Sequence, residues 1–187
     1  VAELGPLVAP QDAVVQGAAL LAERMAGCEA EASSLLEQAT RAKQEANAMF
    51  ASQARPEAVE AWRRSLRLLA DVPHDFPGAQ ELRLSVSQNL AQCFLDLKDD
   101  LRAAFYAGEA LAIDPRSTKA LYRRALALQG LGEKRKACLH LRRALLIEPD
   151  EPKVRQALKG YGDLREQLGT PWSDGEDEEE GEDDEDE

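Results

Sequence analysis

The 187-residue chain is predicted to be all-α: a stack of three helical hairpins closed by a C-terminal capping helix. Two observations predict this fold. Ala, Leu, Glu and Arg are abundant and favour helices, whereas aromatic residues make up only 5 % of the chain. Small residues also recur at a fixed interval inside amphipathic segments, which is typical of a repeat protein rather than of a single helical bundle.

The interval is 34 residues, and four landmarks define it. Each landmark of one copy has a counterpart in the copy before it: Ala125 and Ala91, Ala137 and Ala103, Ala144 and Ala110, Pro149 and Pro115. Small residues where two helices cross, with a proline closing each unit, are the signature of the tetratricopeptide repeat (TPR). The sequence therefore predicts a right-handed superhelical stack of TPR helix pairs.

A third copy lies further upstream, with Ala46, Ala58 and Ser65 at the equivalent positions. It precedes the second copy by 45 residues rather than 34, so eleven extra residues fall around 72–82 (VPHDFPGAQEL). We expect an extended loop or lengthened helices at this first junction.

The domain organisation follows from the repeats. An N-terminal helical linker is predicted over 1–32, and Ser34 with Glu37 forms a candidate capping box that would start a new helix. The TPR domain is predicted over 33–168, with repeats at about 39–72, 84–117 and 118–151 and a capping helix at about 151–168. A disordered acidic tail is predicted over 169–187.

The net charge of −12 belongs to this tail, because residues 173–187 hold twelve acidic residues and no basic one. The rest of the chain is near neutral, so it lacks the basic excess that a nucleic-acid partner requires. The tail is interpreted either as a solubilising segment or as a competitor for a basic groove. Ser173, which precedes Asp174 and Glu176, resembles an acidophilic kinase site of the casein kinase 2 type.

Composition also argues against several other classes of protein. No apolar run is long enough to cross a bilayer, so no membrane partner is expected. Cys28, Cys93 and Cys138 are interpreted as small buried or half-buried residues in a reducing compartment, the cytoplasm or nucleus. His74 and His140 have no partners at ligand spacing, so no metal, cofactor or catalytic residue is predicted.

The first helix of each repeat is expected to line a concave groove. Aligning the three helices on Ala46, Ala91 and Ala125 places cations and amides from all three repeats on that wall. The candidates are Lys43, Asn47, Asn89, Lys119 and Arg123. Ammonium, guanidinium and amide groups donate hydrogen bonds to anions, so the pattern predicts a site for a carboxylate, and for a chain terminus in particular.

These residues carry a family resemblance. KQEAN at 43–47, Asn89 within SQNLAQCFLDL, and KALYR at 119–123 resemble the carboxylate-clamp TPR domains of co-chaperones, which bind the C-terminal Glu-Glu-Val-Asp of heat shock protein 90 or 70. The resemblance implies that Lys43, Asn47 and Asn89 hold the terminal carboxylate. It implies further that Lys119 binds the aspartate side chain, Arg123 a more upstream group, and that Phe50 helps to form the valine pocket.

The chain departs from the family pattern in two places, Ala46 where Gly is usual and Ala107 where Tyr is usual. The lengthened first junction is similar to that of FKBP-type immunophilins, in which an isomerase domain precedes the repeats. Two alternatives to a chaperone adaptor therefore stay open. One is a TPR scaffold for another acidic peptide, and the other is the non-catalytic C-terminal part of a peptidyl-prolyl isomerase.

Overall fold

The computed structural model describes residues 10–162, with side chains from residue 15, and over this range the protein is helical without strands. The helices are α1 Pro10–Ala51, α2 Arg55–Ala70, α3 Ala79–Asp96, α4 Asp100–Ile113, α5 Thr118–Gly130, α6 Lys134–Ile147 and α7 Pro152–Lys159. Consecutive helices pack as the pairs α1 with α2, α3 with α4, and α5 with α6, and α4 packs in turn against α5. The predicted all-α stack of three helix pairs is confirmed.

The small residues that mark the repeats lie where the helices cross. All are at most 1 % exposed: Ala46, Ala58, Ser65, Ala91, Ala103, Ala110, Ala125, Ala137 and Ala144. Ser65 fits this apolar setting because its Oγ donates a hydrogen bond to the Ala39 carbonyl oxygen at 2.8 Å. Small side chains let two helix backbones approach closely, so the 34-residue period reflects the packing of the pairs.

Two apolar clusters form the core. The first joins α1 to α4 around Trp62, Leu69 and Phe94. The second joins α5, α6 and α7 around Leu121 and Leu141. Each large apolar side chain that is fully buried contributes about 1.5–3 kcal/mol, so the side chains on the inner helix faces hold the stack together.

Helix α1 is continuous, and the capping box predicted at Ser34 and Glu37 is wrong. Ser34 lies inside the helix, where its Oγ accepts a hydrogen bond from Gln38 Nε2 at 3.3 Å. The helix continues because the surrounding EAEASSLLE segment is rich in helix formers and contains neither Gly nor Pro. The N-terminal part projects beyond its partner helix, and its apolar residues Leu21 and Met25 are more than 60 % exposed.

The described helices include none that is both long enough and apolar enough to span a membrane.

Cys93 and Cys138 are buried free thiols as expected, but Cys28 is exposed because it lies on the projecting part of α1. The prediction of burial for Cys28 is therefore wrong.

The extra residues at the first junction are divided between two longer helices and the connection 71–78. Val72 anchors this connection in the first apolar cluster. Gly78 caps α3 with φ of +82°, a left-handed conformation that favours glycine. Arg83 Nη2 donates hydrogen bonds to the carbonyl oxygens of Leu69 and, at 2.7 Å, Val72. These bonds join the end of α2 to the start of α3.

Helix α7 covers the end of the stack with Val154, which is 1 % exposed and packs in the second cluster. It ends at Lys159 and is capped by Gly160, so the helix predicted to run to Leu168 is interrupted there. Glycine is among the poorest helix formers, and Gly160 and Gly162 lie close together at this point. Residues 163–187, including Ser173 and the predicted acidic tail, lie outside the described residues, and the predicted domain bounds stay predictions.

Candidate functional site

The first helices of the three repeats, α1, α3 and α5, form a concave groove in which α3 contacts both of the others. A cavity of about 300 Å³ lies in this groove. Its lining residues come from all three repeats: Asn47, Phe50, Trp62, Asn89, Gln92 and Arg123. Four of the six residues predicted for the site, Asn47, Phe50, Asn89 and Arg123, therefore meet at one cavity.

Asn47 and Asn89 are in direct contact although 42 residues separate them in the sequence. Asn89 Nδ2 donates a hydrogen bond to Asn47 Oδ1 at 3.1 Å. The same oxygen accepts a second hydrogen bond, also at 3.1 Å, from Nε1 of the buried Trp62. The side-chain oxygen of Asn47 is therefore engaged by two donors from two other helices.

Arg123 crosses from α5 to α3. Its Nη1 donates to the Gln88 carbonyl oxygen at 2.8 Å, and its Nε donates to Gln92 Oε1 at 3.2 Å. Burial lowers the pKa of Arg123, an effect that the nearby Asp96 carboxylate opposes. A guanidinium nevertheless remains charged in proteins, so Arg123 brings a partly desolvated positive charge to the cavity.

Lys119 and Arg123 both line a second cavity of about 260 Å³ between α5 and α7. Lys153 of α7 adds a third cation there, and Glu148 and Glu151 line the same space. One of these acids is already engaged, because Thr118 Oγ1 donates to Glu148 Oε1 at 2.8 Å. The two cavities adjoin, since Gln92 and Arg123 line both of them.

Lys43 lines neither of these two cavities. It is half-buried on α1, one helical turn before Asn47, and residues four apart on a helix have Cβ atoms only about 5–6 Å apart. Within residues 15–162, neither Lys43 nor Lys119 is paired with a carboxylate. Both ammonium groups are thus available to an incoming anion.

Phe50 closes one side of the first cavity as part of an aromatic contact. Its ring lies 5.5 Å from that of Trp62, and the Arg55 guanidinium lies 5.6 Å from the Phe50 ring centroid. Arg55 Nη2 is also 3.6 Å from Asp96 Oδ2, and Asp96 Oδ1 accepts a hydrogen bond from Gln92 at 3.0 Å. These contacts link the floor of the groove from Phe50 to Gln92.

Sequence reasoning placed Gln92 on the groove wall without a binding role, and it did not place Trp62 in the site. Trp62 belongs to a second helix, α2, and only the packing of α1 on α2 brings its indole into the groove. A signal existed for Gln92, because it occupies the same position in its repeat as Asn47 does in the first repeat. Gln92 also lines a third, open pocket of about 790 Å³ together with Arg55, Asp96 and Asp100.

The groove is suited to binding an anion. Amide, ammonium and guanidinium donors surround the first two cavities, and such groups form strong charge-assisted hydrogen bonds with carboxylates. Across the residues that the structure describes, no three His, Cys, Asp or Glu side chains cluster as metal ligands would.

Comparison with known proteins identifies the fold, although no family model matches the chain. The C-terminal TPR-containing domain of a putative FK506-binding protein of Plasmodium falciparum has a TM-score of 0.67 at 23 % identity, with 74 % of this chain and 96 % of that chain covered. The myosin chaperone UNC-45 from C. elegans, in complex with a Hsp90 peptide, has a TM-score of 0.60 at 26 % identity, with 70 % of this chain and 14 % of that chain covered.

Curated relatives also match in sequence, and two of them illustrate the similarity. FK506-binding protein-like from Homo sapiens is 37 % identical over 101 residues, which are 54 % of this chain and 28 % of that protein. Protein unc-45 homolog B from Xenopus laevis is 27 % identical over 139 residues, which are 74 % of this chain and 14 % of that protein. The chain thus spans only a minor part of each relative. Its fold is that of a TPR domain, and the resemblance to TPR domains of FK506-binding proteins is confirmed.

Proposed function

We propose that the chain is a co-chaperone adaptor whose groove binds the C-terminal Glu-Glu-Val-Asp peptide of heat shock protein 90 or 70. The observation that carries the proposal is the convergence of Asn47, Asn89 and Arg123, from three repeats, on one cavity. These side chains are donors, and a free chain terminus is an anion that several donors can grip at once.

The similarity to UNC-45, which is described in complex with a Hsp90 peptide, supports a chaperone as the partner. In the proposed complex, Lys43, Asn47 and Asn89 bind the terminal carboxylate. Lys119 binds the aspartate side chain, and Arg123 binds an upstream group. Charge-assisted hydrogen bonds contribute about 1.5–3 kcal/mol each before the cost of ordering the peptide, so we expect a dissociation constant around micromolar.

A peptide titration tests the proposal. A labelled peptide ending in Met-Glu-Glu-Val-Asp is compared with the same peptide amidated at its C-terminus, by fluorescence anisotropy. We expect the free acid to bind at least about tenfold more tightly, because amidation removes the charge that the clamp is proposed to hold. Lys119→Ala and Arg123→Ala should each weaken binding of the free acid.

Lys134→Ala and Arg124→Ala are matched controls. Each removes one Lys or Arg charge from a position that lines neither the 300 Å³ nor the 260 Å³ cavity, which are together called the clamp cavities. They should leave the affinity unchanged. Equal binding of the free acid and the amide would overturn the chaperone-terminus proposal. It would favour the alternative of a TPR scaffold for another acidic peptide.

The resemblance to FK506-binding proteins favours a second candidate role, compatible with the first. The chain would then be the non-catalytic C-terminal part of a peptidyl-prolyl isomerase. An assay of prolyl isomerisation by this chain tests whether it is non-catalytic. Isomerase activity of the chain would contradict this second role.

A further inference from the structure

The amide of Asn47 is held by two donors, and their positions decide which of its atoms faces a ligand. Both Asn89 Nδ2 and Trp62 Nε1 donate to Asn47 Oδ1, each at 3.1 Å. An indole nitrogen can only donate, so it cannot pair with the amide nitrogen of asparagine. The amide is therefore oriented with its oxygen toward Trp62 and Asn89, and Asn47 Nδ2 keeps both of its hydrogens for another acceptor.

Without Trp62, the two asparagines could pair in either of two ways. An amide carries a donor and an acceptor, so Asn47 could accept from Asn89, as observed, or donate to Asn89 Oδ1 instead. In the second arrangement, Asn47 would turn its oxygen toward the groove and repel a carboxylate. The indole N–H of Trp62 removes this ambiguity, because only the first arrangement satisfies it.

Trp62 is well placed to impose this orientation. It is 1 % exposed, and a buried N–H without an acceptor is costly, so the indole strongly favours having the Asn47 oxygen as its partner. Its ring contacts Phe50 at 5.5 Å between centroids, and both residues line the same cavity as Asn47. The indole is thus fixed by packing, whereas Asn47 is exposed and otherwise free to turn.

We infer that Trp62 is a positioning residue of the groove, which orients the Asn47 amide so that it donates to a bound carboxylate. This inference rests on the proposed binding of a free C-terminus. Trp62 does not itself bind the peptide carboxylate; it acts through Asn47. The consequence is selectivity for a carboxylate over a neutral amide terminus.

Trp62→Phe tests the inference, since it keeps an aromatic ring beside Phe50 but removes the N–H. We expect the affinity for the free-acid peptide to fall about three- to tenfold, because a neutral hydrogen bond that selects the orientation is lost. The affinity for the amidated peptide should stay the same, because a neutral amide can pair with either orientation of Asn47. If the affinities for both peptides fell by the same factor, Trp62 would have a merely structural role, and the inference would be overturned.

Tyr106→Phe is the matched control. Like Trp62→Phe, it removes one hydrogen-bonding group from an aromatic residue. The Tyr106 hydroxyl accepts a hydrogen bond from Arg63 Nε at 3.4 Å. Tyr106 packs on Phe94 and lines neither clamp cavity, so both peptide affinities should stay at the wild-type values. Melting curves of both variants report whether the fold persists.

If Trp62→Phe does not fold, site-specific replacement of Trp62 by benzothienylalanine supplies the same test, because sulfur replaces the N–H in a ring of nearly the same shape.

Asn47→Asp gives an independent readout. It keeps oxygen acceptors for Trp62 and Asn89 but has no donor, so the free acid should bind at least about thirtyfold more weakly in a folded protein. Unchanged binding by Asn47→Asp would also overturn the inference.

The two proposals fail in different ways. If the wild-type protein does not distinguish the free acid from the amide, the proposed function is wrong. If the wild-type protein distinguishes them and the Trp62→Phe protein does so equally well, only the role of Trp62 is wrong.

Discussion

The Arg123 guanidinium donates a hydrogen bond from Nη1 to the backbone carbonyl oxygen of Gln88, 2.8 Å away on the neighbouring helix. A second bond, from Nε to Gln92 Oε1, fixes the plane of the guanidinium against α3. A side chain of the third repeat is thus held by the second repeat before any ligand arrives. Such preorganisation lowers the ordering cost of binding.

Arg123→Lys should therefore weaken peptide binding although the charge is retained. An ammonium group cannot reproduce the planar fork that donates to Gln88 and Gln92, so the charge would no longer be held in one place. We expect a loss of about five- to tenfold in affinity, of the order of one charge-assisted hydrogen bond, measured by anisotropy. Arg124→Lys is the control, since Arg124 lies beside Gly108 of α4. Equal affinities for Arg123→Lys and wild type would contradict this account.

Arg83→Ala should destabilise the first junction. The side chain donates to the carbonyl oxygens of Leu69 and Val72, and its burial lowers its pKa. Removing it leaves two partly buried carbonyl groups without these donors, at a cost of about 1–3 kcal/mol in the free energy of unfolding. Urea unfolding followed by circular dichroism measures this cost. Arg67→Ala, an exposed change on the same α2 helix, should stay within about 0.5 kcal/mol of wild type.

Asp99 should make the stability of the second repeat depend on pH. Its carboxylate caps α4 by accepting a hydrogen bond from the Arg102 backbone N–H at 3.0 Å. That bond, together with the Arg102 side chain, lowers the pKa of Asp99 below its usual value of 3.8. Because the folded pKa is depressed, the contribution is fully present above the unfolded value and is lost as the pH falls through the folded value.

Asp99→Asn keeps a capping oxygen but removes the charge, so wild type should be the more stable protein at pH 7. The difference in unfolding free energy should shrink as the pH falls below the usual value of 3.8 and through the lower folded pKa. Asp99→Ala should cost about 1 kcal/mol at pH 7, a usual value for a lost cap. A difference between wild type and Asp99→Asn that did not vary with pH would rule out the role of the charge.

The three cysteines should differ in reactivity. Cys28 is exposed, whereas Cys93 and Cys138 are buried and burial raises the pKa of both thiols. Since the thiolate is the reactive form, one thiol should react with Ellman's reagent in the native protein and three in denaturant. Cys28→Ser should abolish the native reaction. Rapid labelling of a second thiol would show that one of the apolar clusters opens easily.

Deletion of residues 173–187 should tighten peptide binding at low salt. This segment holds twelve acidic residues and is joined to the chain that forms the groove, so it is present at high effective concentration. The gain should be larger at about 20 mM salt than at about 150 mM, because screening weakens the competition. A tail of equal length with Asn and Gln in place of the acids should behave like the deletion. Unchanged affinity at both salt concentrations would remove the idea.

The repeat architecture could be predicted because it depends on spacing along the chain. Small residues 34 apart mark where the helices of each pair cross, and Ala91 and Ala125 are both buried at such crossings. Helical periodicity also predicts which residues share a face, so Asn47, Asn89 and Arg123 could be assigned to one groove. The roles of these residues in binding stay predictions.

Contacts between helices could not be predicted in this way. No sequence pattern indicates that the Trp62 indole meets Asn47, that Arg123 reaches the Gln88 backbone, or that Arg83 joins α2 to α3. The partners in each contact are 11 to 35 residues apart and meet only through packing.

Sequence alone therefore determined the helices, the three-fold repetition and the polar groove wall, because these follow from local propensity and from the period of an α-helix. Tertiary structure alone decided the contact of Arg123 with the Gln88 carbonyl oxygen and the orientation of the Asn47 amide. The physical reason is that a hydrogen bond forms only when the donor–acceptor distance is right to within a few tenths of an ångström. For residues far apart in the sequence, only the packing of the helices sets that distance.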